Sequence, residues 1–165
     1  MSKIAEEVGT PVYVYSRATL ERHARVFREG LKDAGKIHLA FAVKANPNLA
    51  VLRILANQGY GADVVSGGEL QRALAAGMKA EDIVFSGVGK SREELTLGLE
   101  KGIGQFNLES EEEGEMLAEI AAARGVKASA TLRVNPDVDA GTHAKISTGK
   151  KENKFGVAID VAPEI

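Results

Sequence analysis

Lys44 is the residue whose type and position most plainly allow chemistry. It closes the run Ile-His-Leu-Ala-Phe-Ala-Val at residues 37–43 and is followed at once by Ala-Asn-Pro-Asn. The run reads as a strand buried on both faces of a parallel sheet, and Asn46 and Pro47 read as the cap and first residue of a helix. An amine at the carboxyl end of such a strand sits on the rim where α/β sheets carry out their reactions. Walled by Phe41 and Val43, it would have its charged form disfavoured by desolvation and could attack an aldehyde to form a Schiff base. An ordinary solvated lysine after a strand would show the same local pattern, so spacing alone leaves both readings open.

Four further residues have the right types. Asp63 and Ser66 fall at the end of the next apolar run, and they would share a mouth with Lys44 if the sheet is parallel. Arg133 falls near the end of a later run. Each has a plain alternative: Ser66 as a helix cap, Asp63 as a strand-end acid, Arg133 as one half of a structural ion pair. His143 could move a proton near neutral pH. It also lies among Lys145, Lys150, Lys151 and Lys154, which fits a solvated loop equally well. His23 and His38 read as structural, and three scattered histidines make no metal site.

The elements that must position these residues repeat along the chain. Gly35, Gly59, Gly77, Gly102 and Gly125 recur at intervals of 18 to 25 residues, each where a helix would need a left-handed residue past its end. Strands are expected after them at 37–43, 60–65, 83–85, 105–108 and 128–134. Ser-x-x-Glu boxes at 66–69, 91–94 and 110–113 mark helix starts. The helices are expected at about 17–34, 47–58, 67–76, 92–101 and 111–124. This alternation predicts an α/β protein with a parallel sheet and right-handed crossovers. Length favours a complete five-stranded open sheet, since a (β/α)₈ barrel takes about 250 residues.

Composition narrows the function classes. The chain has 165 residues, 44% of them hydrophobic, enough for a real core. A net charge of −2 with interspersed signs gives no basic stripe for nucleic acid and no cationic face for a membrane. Cysteine is absent, which removes thiolate chemistry and fits a reducing compartment. No apolar stretch approaches a membrane span and the first residues lack a signal-peptide core, so the expected localisation is cytoplasmic.

The segment Phe-Ala-Val-Lys-Ala-Asn-Pro at 41–47 resembles the cofactor-lysine strand of the fold-type III pyridoxal-phosphate enzymes, the alanine racemase-like barrels. Within that group the chain is most similar to the diaminopimelate decarboxylases. The resemblance rests also on Thr-Pro-Val-Tyr-Val-Tyr at 10–15, Gly-Ala-Asp-Val-Val-Ser-Gly-Gly-Glu-Leu at 61–70 and Phe-Ser-Gly-Val-Gly-Lys at 85–90. His-Ala-Lys-Ile-Ser-Thr-Gly at 143–149 and Glu-Asn-Lys-Phe-Gly at 152–156 complete it, all in family order.

The resemblance implies a partial (β/α)₈ barrel of about five βα units over residues 36–165, preceded by an amino-terminal strand and lead-in helix over 1–35. It implies pyridoxal 5'-phosphate bound to Lys44 as a Schiff base, with Asp63, Ser66 and Arg133 near the cofactor, His143 at the chemistry and Lys154 near a subunit interface. The activity implied is decarboxylation of meso-diaminopimelate to L-lysine by a homodimer. The family's phosphate loop, phosphate arginine, pyridine-nitrogen acid, partner-subunit cysteine and carboxy-terminal β domain would lie beyond residue 165. On that expectation the chain is incomplete, residues 10–15 lack their sheet partner, unaided catalysis and cofactor affinity are poor, and two open sheet edges reduce solubility. Two rivals stand beside this reading: another decarboxylase or racemase of the same group, and a non-catalytic carrier of pyridoxal phosphate or flavodoxin-like module.

Overall fold

The computed structural model describes residues 1–135 and 155–164. Its centre is a sheet of five parallel strands in sequential order, β1 (Ala40–Ala42), β2 (Gly61–Val64), β3 (Ile83–Phe85), β4 (Gln105–Leu108) and β5 (Ala130–Leu132). The intervening helices are α3 (Leu49–Asn57), α4 (Gly67–Ala75), α5 (Arg92–Lys101) and α6 (Glu111–Arg124), preceded by α1 (Ser2–Val8) and α2 (Arg17–Gly30). Each helix from α2 to α6 packs on the next in chain order. A doubly wound sheet reverses its strand order at a switch point, whereas right-handed crossovers in unbroken order keep every helix on one face. The order here is that of a barrel wall, and the open-sheet expectation from length does not hold.

The helix-facing side of the sheet supplies the core. Ala62, Val64, Ile83, Phe85 and Phe106 are fully or almost fully buried against Leu52, Leu70, Leu95, Leu117 and Ile120. The rings of Phe85 and Phe106 stack with centroids 6.4 Å apart. Each of the valine, leucine, isoleucine and phenylalanine side chains contributes about 1.5–3 kcal/mol on burial. Gly98 lets α5 close onto this layer, because a Cβ there would meet the Phe106 ring at 2.8 Å.

Caps set the helix limits. Ser66, Ser91 and Ser110 each accept from the backbone N–H three residues on. At Ser91 the return bond closes the full box, Ser91 N–H to Glu94. At the other two the glutamate reaches one residue further back, to the N–H of Val65 and of Glu109. Gly102 and Gly125 end α5 and α6 in the left-handed conformation. Gly35, Gly59 and Gly77 also have positive φ.

Several elements differ from the sequence expectation. The first strand covers only Ala40–Ala42, because among the described residues β1 pairs with β2 alone and residues 37–39 have little to bond with. The expected fifth strand divides into β5 and a two-residue β6 (Val134–Asn135), which pairs with β7 (Val157–Ala158) in a second parallel sheet. Helix α2 stops at Gly30, and residues 31–34 turn before Gly35. Helix α3 starts after Asn48 instead of Asn46: Asn48 caps Ala50 N–H, while Asn46 spends its side chain on Asn48 N–H. Residues 10–15 join no ladder among the described residues, and Tyr13 is 88% exposed. Helix α1 was not foreseen; it buries no residue, so no apolar periodicity announces it.

Candidate active site

Lys44 occupies a single 3₁₀ turn, residues Val43–Ala45, directly after β1. Val43 anchors the turn, with no exposed surface. The lysine side chain is exposed, and it makes no hydrogen bond or ion pair among the described residues. The desolvating wall expected from Phe41 and Val43 is therefore not formed: both neighbours point to the helix layer, leaving the amine on the open face. What the fold gives Lys44 is an uncommitted amine at a strand's carboxyl end.

The strand register lines up a polar row beside it. Ala42 pairs with Asp63, Asp63 with Val84 and Val84 with Gln105. Two residues further on, Lys44 falls level with Ser86 and Asn107, and Asn107 pairs with Thr131. The side chains form a directed chain of hydrogen bonds. Thr131 donates to Asn107 Oδ1 at 2.7 Å, Asn107 Nδ2 to Ser86 Oγ at 3.0 Å, and Ser86 Oγ to Asp63 Oδ1 at 2.5 Å. Gln105 Nε2 donates to both Asn107 and Thr131. A chain whose donors all point the same way polarises along its length and fixes each rotamer. It ends on the Asp63 carboxylate, the acid nearest in register to Lys44.

One step beyond lie Glu109 and Arg133. Arg133 donates to Glu109 Oε1 at 3.3 Å and stacks over Phe155 at 5.0 Å. The Glu109 side chain is only 4% exposed, and its Oε2 has no hydrogen-bond partner among the described residues. Ser86, Asn107, Glu109, Thr131 and Arg133 line a cavity of about 310 Å³. Behind it, Lys90 Nζ is fully buried and donates to Gly87 O, Asn107 O and Glu113 Oε1, while Glu113 Oε2 accepts from Glu109 N–H.

The fold thus brings Lys44, Asp63 and Arg133 to one end of the sheet. Ser66 lies at the same end, but its hydroxyl is committed as the α4 cap. The Gly67 N–H donates to Glu94 at 2.7 Å, so the start of α4 offers no open glycine cradle for a phosphate. His143 and Lys154 lie outside the described residues. His38 sits at the opposite end, 3.7 Å from Asp82. Sequence reading missed Ser86, Gln105, Asn107, Thr131 and Glu109. The signal was present in β2, β4 and β5, where Asp63, Asn107 and Thr131 each stand between apolar neighbours.

The comparisons with known proteins point the same way. Residues 17–165 match the family described as pyridoxal-dependent decarboxylase, pyridoxal binding domain. The chain belongs to this family. It is 58% identical over its whole length to a diaminopimelate decarboxylase of Pseudomonas fluorescens, covering 40% of that protein, and 56% identical to one of Zymomonas mobilis, covering 39%. Among solved structures, diaminopimelate decarboxylase of Helicobacter pylori complexed with L-lysine superposes with a TM-score of 0.92 at 43% identity, over 99% of this chain and 41% of that one. The lysine/ornithine decarboxylase of Vibrio vulnificus, at 20% identity and a TM-score of 0.73, shares the fold. The chain spans about 40% of the length of the curated relatives it matches.

The residues present fit the aldehyde end of a pyridoxal group. A primary amine without a partner among the described residues and a row of ordered hydroxyl, amide and carboxylate groups lie at one end of the sheet. A phosphate cradle is not among the described residues.

Proposed function

We propose that this chain is the amino-terminal part of a diaminopimelate decarboxylase, a carboxy-lyase that converts meso-2,6-diaminopimelate to L-lysine with pyridoxal 5'-phosphate. In this reading residues 1–35 are a lead-in and residues 36–165 the first part of the barrel. The complete enzyme is a cytoplasmic homodimer. Among the described residues no helix is long and apolar enough to cross a membrane. The observation that carries the reading is the uncommitted amine of Lys44 at the carboxyl end of β1, on a chain with 58% identity to a diaminopimelate decarboxylase.

When bound, the cofactor supplies an electron sink for the pair left behind by the departing carboxylate. Lys44 Nζ holds the cofactor through its aldehyde, and once released it is a base able to hold or return a proton at that nitrogen. Asp63 accepts from Ser86 and so presents a fixed carboxylate at the same end of the sheet as the lysine. Arg133, steadied by Glu109 and Phe155, keeps guanidinium N–H groups available at the end of β5, where an anionic group of cofactor or substrate would be held. Ser66 closes the same rim as a cap, and His143 supplies a further proton-transfer group. The complete protein assayed with meso-diaminopimelate, ornithine, arginine and alanine tests this reading. Carbon dioxide and lysine should be released in equal amounts from the first alone; turnover of another amino acid with none of meso-diaminopimelate refutes the substrate assignment.

A further inference from the structure

The buried pair Lys90–Glu113 plays no part in the chemistry above, yet it touches the candidate site from behind at three successive points. Lys90 Nζ donates to the carbonyl of Gly87, one residue after Ser86, and to the carbonyl of Asn107, each at 2.7 Å. Its third bond goes to Glu113 Oε1. The other oxygen of Glu113 accepts from Glu109 N–H at 2.8 Å. The ammonium is fully buried, the carboxylate 10% exposed, and the Phe85 ring lies 5.9 Å from the nitrogen. One ion pair therefore ties down the backbone at Gly87, next to Ser86, at Asn107 and at Glu109. Those residues orient Asp63 through Ser86 and Arg133 through Glu109.

A pair needed only for stability would be a poor choice here. Desolvating both charges costs about as much as their attraction returns, and apolar replacements of similar volume are commonly neutral or stabilising. The pair also holds Glu109 where its Oε2 is buried with no partner among the described residues, an arrangement that usually has a reason other than stability. We infer that Lys90 and Glu113 are positioning residues: their ion pair fixes the Ser86–Asn107–Glu109 wall, and through it the Asp63 carboxylate and the Arg133 guanidinium, for the reaction. This rests on the functional reading above.

The test uses the complete cofactor-loaded protein with two variants. Lys90→Met/Glu113→Leu replaces both charges by apolar groups. Glu113→Gln keeps the shape but sets an NH₂ against either Lys90 Nζ or Glu109 N–H, so one of the two anchors must break. In both, kcat should fall about tenfold or more, as expected of small misplacements at a reacting centre, with KM within about twofold. The visible circular dichroism of the bound cofactor should change, and the Glu109 amide should exchange faster in the cofactor-free protein. A kcat within about twofold of the parent in Glu113→Gln, with unchanged dichroism, overturns the inference; so does a loss confined to the double variant and accompanied by collapse of its melting temperature. Failure to attach cofactor in the unsubstituted protein would instead refute the functional reading on which the inference rests.

Discussion

Two lysines follow strands of the same sheet and have opposite surroundings. Lys44, after β1, is exposed and bonded to nothing among the described residues; Lys90, after β3, is fully buried with three oxygen partners. The first has a nitrogen available for a new bond. The second has no donor to spare, because each of its three protons already has an acceptor. An amine at the carboxyl end of a parallel strand is therefore not a functional signal by itself. What separates a reactive lysine from an architectural one is whether the fold has already used its hydrogen-bonding capacity.

The contrast is easiest to break at Lys44. Lys44→Ala should abolish decarboxylation by the complete protein and its cofactor absorption band, while unfolding free energy stays within about 0.5 kcal/mol, since an exposed side chain without partners carries little stability. Retained activity would remove the distinction. Lys90→Met should do the reverse in stability. Leaving the Glu113 carboxylate buried and unpaired should cost about 3–5 kcal/mol in denaturant unfolding, and a loss below about 1 kcal/mol would mean the pair is solvated in practice.

A smaller contrast lies in the helix starts that follow the two lysines. Asn48→Ala after Lys44 and Ser91→Ala after Lys90 should each cost about 1 kcal/mol. Only the Ser91 change also opens a reciprocal box, which amide exchange at Glu94 would report. The weakest effect is that of pH. Backbone N–H bonds at the starts of α5 and α6, with help from Ser91 and Ser110, hold the Glu93 and Glu112 carboxyls below the ordinary carboxylate range. A depressed folded-state value stabilises the fold above the ordinary carboxylate range, and that contribution is lost as pH falls through the depressed values. Glu93→Gln and Glu112→Gln should flatten that acid limb slightly in a melting-temperature series.

Much of this was legible in the sequence because the signals are local. Strands β3 and β4 and helices α5 and α6 fall on their expected residues, each helix bounded by a Ser-x-x-Glu start and a left-handed glycine stop. Lys44 was legible for the same reason, as the first cation after an apolar run. Signals failed where the outcome depends on distant partners. Residues 37–39 are apolar enough for a strand, but among the described residues β1 has β2 as a neighbour on one side and none on the other. Asn46 and Asn48 carry the same capping chemistry, and only the three-dimensional turn decides between them. The Lys90–Glu113 pair joins residues 23 apart, and in sequence Lys90 looks like any loop lysine after glycine. In sequence Arg133 fits a structural ion pair as well as a site role; the structure supplies that pair with Glu109 and still leaves the Arg133 side chain 38% exposed at the rim.

The most direct measurement is borohydride reduction of the cofactor-loaded complete protein, followed by peptide mapping. The account predicts a single reduced pyridoxyl adduct, on Lys44 and not on Lys90. An adduct on any other lysine, or none on Lys44, would contradict it.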